Sequence, residues 1–168
     1  MPNHSALHQL GSFIVGFQAI EAAILEFLEL ISASDCELVR IVANDLEYSK
    51  KVKALDVGYA RMSQIVGNSD KQHRDSFHSL MVELDKLGTR RNDLVHSFYH
   101  HWVDEHGKHG LLRENSRLKG SAGIREEIEE KLQPDAFVVD LDKLRAACYR
   151  LEEFRRQYIS WLYPDVEG

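Results

Sequence analysis

Apolar residues recur at three- and four-residue intervals over most of this chain, which is the spacing of one face of an α-helix. Leu10, Phe13, Ile14, Phe17, Ile20, Ile24, Leu28 and Ile31 predict one long helix between Leu7 and Ile31. Ser34 and Asp35 then offer N-cap chemistry, and Leu38, Val39, Ile41 and Val42 predict a short helix ending near Asn44, although their β-branching also allows a strand. Val52, Leu55, Tyr59, Met62 and Ile65 carry a third helix from Leu46 to Val66, and Gly67-Asn68-Ser69-Asp70 breaks it. Phe77, Leu80, Met81, Leu84 and Leu87 form the next face, with Gly88-Thr89 a point where that helix can kink or restart. Four glycines between Gly107 and Gly123 interrupt the periodicity and predict a loop or small hairpin. Ile124 to Leu132 is expected to be a short charged helix closed by Pro134, and Asp140 to Tyr163 a strong closing helix. The expected fold class is therefore all-α. It is a single domain over 1–168, an antiparallel bundle of about five helices with a glycine-rich insert at roughly 104–135.

Composition leaves this picture in place and removes some functions. With 43% hydrophobic and 29% charged residues, a chain of 168 residues has the balance of a folded domain rather than of a disordered one. The most apolar stretch, Ile14 to Ile31, is interrupted by Gln18, Glu21, Glu26 and Glu29, so it reads as a core helix and no membrane association is expected. No basic segment with a small-residue cleavage site precedes it, and Cys36 and Cys148 are isolated. Both features point to the reducing cytoplasm, with neither a disulfide framework nor a zinc site.

The net charge of −6 is unevenly spread. Residues 1–47 hold one basic side chain, Arg40, against seven acidic ones, and the remainder is balanced. Within residues 107–125, Lys108, Arg113, Arg117, Lys119 and Arg125 face Glu114 alone. That surplus makes Lys108, Arg113, Arg117 and Lys119 candidate RNA contacts, although a solvated loop carries such charges too.

The stretch from Arg90 to Trp102, Arg-Arg-Asn-Asp-Leu-Val-His-Ser-Phe-Tyr-His-His-Trp, concentrates the chemistry. On a continuous helix at roughly 100° per residue, Asn92 and His96 fall one turn apart on a polar face that also takes His78, Asp85 and Tyr99. Arg91 falls instead on the apolar stripe with Leu84, Leu87, Leu94 and Val95, where an unpaired guanidinium is costly. Either the helix kinks at Gly88-Thr89, or Arg91 has a buried anionic partner. Glu21, at the edge of the first helix's apolar stripe, is the candidate partner.

Arg91-Asn92 followed by three residues and His96 resembles the R-x4-6-H motif of the HEPN family, and the surrounding helices extend that resemblance over essentially the full chain. The resemblance implies a homodimer in which two motifs share one cleft and cut RNA without a metal or other cofactor, leaving a 2′,3′-cyclic phosphate and a 5′-hydroxyl. The residue types suit that chemistry. A histidine moves protons near neutral pH, and an always-charged planar donor stabilises the charge gathering on phosphorus. His96 and Arg91 would take these roles as catalytic residues, and Asn92 would orient one or the other. Glu21 and Tyr99 are supporting candidates. Phe98, Tyr99 and Trp102, read as continuing the motif helix, would hold the dimer.

In toxins paired with a nucleotidyltransferase antitoxin the motif usually continues His-x-Tyr. Here Phe98 stands two after His96 and Tyr99 comes one later, which departs from the modified-tyrosine pattern. Two other readings stay open. One is a non-catalytic HEPN-like module that binds a partner protein or nucleotide. The other is a metal site built from His96, His100, His101, His106 and His109, which lacks a nearby cysteine and a second histidine pair at ligand spacing.

Overall fold

The computed structural model describes residues 5–32, 36–67, 70–119 and 123–164. The long periodic stretches are helices: α1 (Ala6–Ser32), α2 (Cys36–Asn44), α3 (Tyr48–Ile65), α4 (Lys71–Val95) and α5 (Val138–Leu162). Between α4 and α5 lies a three-stranded antiparallel sheet of β1 (Phe98–Val103), β2 (His109–Lys119) and β3 (Ile124–Leu132), followed by a single 3-10 turn at Pro134–Phe137. The all-α expectation is therefore wrong. The insert is a meander in strand order β1-β2-β3, and β3 occupies the stretch expected to be a charged helix. The sheet also begins at Phe98, well before the anticipated boundary, so Phe98, Tyr99 and Trp102 do not continue the motif helix.

The expected N-cap at Ser34 and Asp35 lies outside the described residues. Asp70 does cap α4, its carboxylate accepting the backbone N–H groups of Gln72 at 3.1 Å and His73 at 3.3 Å. Gly67 ends α3 with φ +80°, a conformation that glycine adopts without penalty.

The chain groups into two compact units, residues 1–17 with 89–144 and residues 18–88 with 145–168, and α1, α4 and α5 contribute to both. Among the described residues, the regular elements of the second unit are all helices. Ile20, Ile24, Phe27, Leu55, Leu80 and Leu84 are fully buried in it. At its centre Tyr59 stacks on Phe77 with centroids 3.8 Å apart, and Phe27, Phe154, Tyr158 and Trp161 meet the Tyr59 ring at 5.6–6.2 Å. The Tyr59 hydroxyl is satisfied by His73 Nε2 at 2.6 Å. Gly88 is buried in α4 because the Tyr48 ring lies 2.5 Å from where a β-carbon would sit, and the Tyr48 hydroxyl donates to Leu84 O at 3.1 Å. The helix passes through Gly88-Thr89 unbroken.

The first unit combines the start of α1, the end of α4, the sheet and the start of α5. Ala6, Phe13, Phe17, Leu94, Leu111, Leu132, Phe137 and Leu144 are buried apolar residues in it. Gly16 lets α1 and α5 approach, since a β-carbon there would stand 2.8 Å from Leu144 Cδ2. Gly110 does the same for the sheet, where a β-carbon would meet Leu132 O at 2.9 Å. Among the described residues, no helix is long and apolar enough to cross a membrane.

Candidate active site at the end of helix α4

Arg91 and Asn92 lie in the last turn of α4, and His96 directly follows it. An α-helix ends with carbonyl oxygens that lack intrahelical donors, and these must be satisfied elsewhere. Here each of three has a partner. Asn92 O accepts the backbone N–H of His96 at 3.0 Å, and Leu94 O accepts the Tyr99 hydroxyl at 2.6 Å. Asp93 O accepts the Ser97 hydroxyl and also Arg113 Nη1, the latter at 3.1 Å. A guanidinium at this position also opposes the negative end of the helix dipole. The chain can thus leave the helix after the His96 N–H bond, turn through His96 and Ser97, and enter β1.

Arg91 is half-buried. Its Nη1 donates to Asn92 Oδ1 at 2.9 Å, and its guanidinium carbon lies 5.6 Å from the centre of the Phe17 ring. An aromatic face and a neutral amide therefore accommodate the charge. The proposed Glu21 partner is engaged differently, accepting Lys51 Nζ at 2.8 Å, so the structure corrects that pairing. Among the described residues Arg91 ion-pairs with no carboxylate. Asn92 and His96 are exposed, one helical turn apart.

The neighbouring arginines are fully engaged. Arg90 clamps Glu130 with two hydrogen bonds of 2.8 and 2.9 Å, and its Nε donates to Asp140 at 2.8 Å. Burial alone would lower the pKa of Arg90, but the bonds to Glu130 and Asp140 outweigh it and raise the value. Glu130 shows the complementary balance. Burial pushes its carboxyl upward, and Arg90 with Arg113 brings it below the ordinary range. Arg113 Nε stands 2.7 Å from Glu130 Oε2, with its N–H poorly aligned, so the attraction there is an ion pair rather than a hydrogen bond. The Tyr99 hydroxyl is pushed up by burial, partly opposed by Arg113 and Arg90.

These positions revise the list of candidate RNA contacts. Arg113 is only 4% exposed and is committed to the helix end, so it cannot meet a phosphate in this arrangement. Its place on β2 beside Leu111 and Leu112 explains the burial, since alternate residues of a strand face the core. Lys108, exposed in the β1–β2 turn, is paired with Asp135. Arg117 and Lys119 lie on β2 opposite Glu126 and Ile124, and their side chains fall outside the described residues. Tyr99 is a capping group rather than a free hydroxyl.

The histidine-rich alternative loses its basis, because His96 and His100 no longer share a helix. Among the described residues, no group of three histidine, cysteine, aspartate or glutamate side chains could hold a metal ion. The aromatic residues assigned to dimer packing also separate. Trp102 is half-buried beneath the Lys131 ammonium at 5.1 Å, whereas Phe98 is 78% exposed. Sequence reasoning missed Arg90, Glu130 and Asp140 altogether. The doubled arginine at 90–91 was visible, but the partners lie 40 and 50 residues away along the chain. Compared with protein-family models, curated proteins and solved structures, the chain finds no match.

Proposed function

We propose that this chain is a HEPN-type endoribonuclease that cleaves RNA without a metal ion, working in the cytoplasm as a homodimer of the toxin or antiviral-defence kind, with an antitoxin or defence protein as its partner. The observation that carries this reading is an arginine that, among the described residues, pairs with no carboxylate, in the last turn of a helix that an exposed histidine directly follows. Arginines 90 and 113 are neutralised by Glu130 and Asp140, so Arg91 retains its charge for an incoming phosphate. In the proposed reaction His96 takes the proton from a ribose 2′-hydroxyl as that oxygen attacks the adjacent phosphorus. The bond from phosphorus to the 5′-oxygen breaks, and His96 of the second copy protonates the leaving oxygen. Arg91 stabilises the intervening phosphorane, and Asn92 holds Arg91 through its amide oxygen.

The test is incubation of the purified chain with RNA in excess EDTA. Cleavage is expected, and Arg91→Ala and His96→Ala should each lower it by at least about 100-fold while leaving helical circular dichroism unchanged. Activity that persists in both variants, or that requires an added divalent ion, overturns the mechanism. The solvent side of the sheet favours a second reading, a non-catalytic HEPN-like module that binds a partner protein. Phe98 lines a cleft of about 170 Å³ there, in which Glu114, Glu127 and Glu129 outnumber Arg125, a surface that disfavours phosphates. Absence of cleavage by the wild-type chain under any metal condition would favour that reading.

A further inference from the structure

We infer that Arg113 is the positioning residue of the site, holding the turn that presents His96; the inference rests on the reading of His96 as the proton carrier. Arg113 comes from β2, 20 residues beyond the carbonyl that it caps, and is buried. One of its nitrogens, Nη1, donates to Asp93 O and to Ser97 Oγ, both at 3.1 Å. The Ser97 hydroxyl in turn donates to Asp93 O, which closes a three-membered ring of hydrogen bonds. Asp93 and Ser97 bracket His96, so this ring fixes the backbone on both sides of the histidine.

Arg113 is itself held in place. Its Nε pairs with Glu130, which is clamped by Arg90, the residue immediately before Arg91 and bonded also to Asp140. One network thus joins the backbone of the motif, the sheet and the start of α5. A lysine at 113 would keep the charge but could not reach Asp93 O, Ser97 Oγ and Glu130 together, because an ammonium is a point donor and a guanidinium a fork. Small displacements of a proton-transfer group cost rate rather than binding.

The experiment compares wild type with Arg113→Lys, Ser97→Ala and Ser97→Thr, using the exposed Arg125→Gln as control. RNA-cleavage kinetics and the hydrogen exchange of the His96 amide are measured for each. Arg113→Lys and Ser97→Ala are expected to lower kcat about tenfold or more, with little change in KM, and to speed exchange of the His96 amide while exchange in α3 stays as in wild type. Ser97→Thr, which keeps the hydroxyl, should restore most of kcat. A folded Arg113→Lys with wild-type kcat and wild-type His96 exchange overturns the inference, as does a loss confined to KM. If wild type cleaves no RNA the proposed function fails, and the His96 amide alone then decides whether Arg113 holds the turn.

Discussion

His73 shows how a single buried contact becomes a pH response. Burial pushes its pKa below the ordinary histidine value, partly opposed by Asp70, and its Nε2 shares a hydrogen bond with the Tyr59 hydroxyl. The unfolded chain therefore binds this proton at higher pH than the folded one, so stability is full above the ordinary value and is lost as pH falls toward the depressed one. The expected outcome is a fall in urea midpoint as pH drops below about 6.5 that is smaller in His73→Gln than in wild type. Equal falls in both proteins would show that His73 does not govern the response. Glu130 works in the same direction further down the scale. Its depressed carboxyl contributes stability above the unfolded value and loses it as pH falls through the folded one. Replacing it with glutamine would leave Arg90 and Arg113 short of a counter-charge. Thermal denaturation should show a loss somewhat below the roughly 3–5 kcal/mol typical of fully buried pairs, because the Glu130 side chain is about one-third exposed.

At the scale of elements, α4 tolerates a glycine in its interior for a packing reason. Gly88→Ala would gain about 1 kcal/mol in helix propensity. The added methyl would meet the Tyr48 ring, which cannot swing away without losing its bond to Leu84 O, and overpacking costs about 1–3 kcal/mol. A net loss in denaturant midpoint is therefore expected, and a more stable Gly88→Ala would mean that the ring moves freely. The helices were legible because their apolar residues keep a local period that no partner needs to complete. The sheet was not. Ile124, Ile128 and Leu132 are spaced by four, a multiple of both the strand repeat and nearly of the helix repeat, and the glutamates between them favour helix on propensity. Phe98, Tyr99 and Trp102 misled in the same way, their spacing of three and four fitting a helix as well as β1. What decides both stretches is pairing across the sheet, Phe98 against Glu114 and Leu111 against Leu132, and a local pattern does not contain it. Arg91, Asn92 and His96 were legible as residue types at a spacing. The network beneath them was not, since Arg113 reads as a solvated charge until β2 places it inward.

For the whole molecule, one chain supplies a single exposed histidine at the motif, whereas internal attack on phosphate uses both a base and an acid. Under the proposed function the active species is a two-fold dimer, so sedimentation should show a dimer at micromolar concentration, and a mixture of His96→Ala and wild-type subunits should lose activity in proportion to mixed dimers. A fully active monomer would remove the shared site. The sheet adds a consequence of another kind. Its two outer strands differ in character: β3 carries Arg125, Glu126, Glu127, Glu129, Glu130 and Lys131, whereas β1, Phe-Tyr-His-His-Trp-Val, carries no lysine, arginine or acidic side chain. Edges rich in lysine, arginine and acidic side chains resist the addition of a foreign strand, and aromatic ones invite it. A ladder built by backbone pairing could thus be extended at β1 alone. Two chains joined in that way would turn only β3 outward, and growth would stop there, so stress that loosens the fold should yield pairs before it yields fibres.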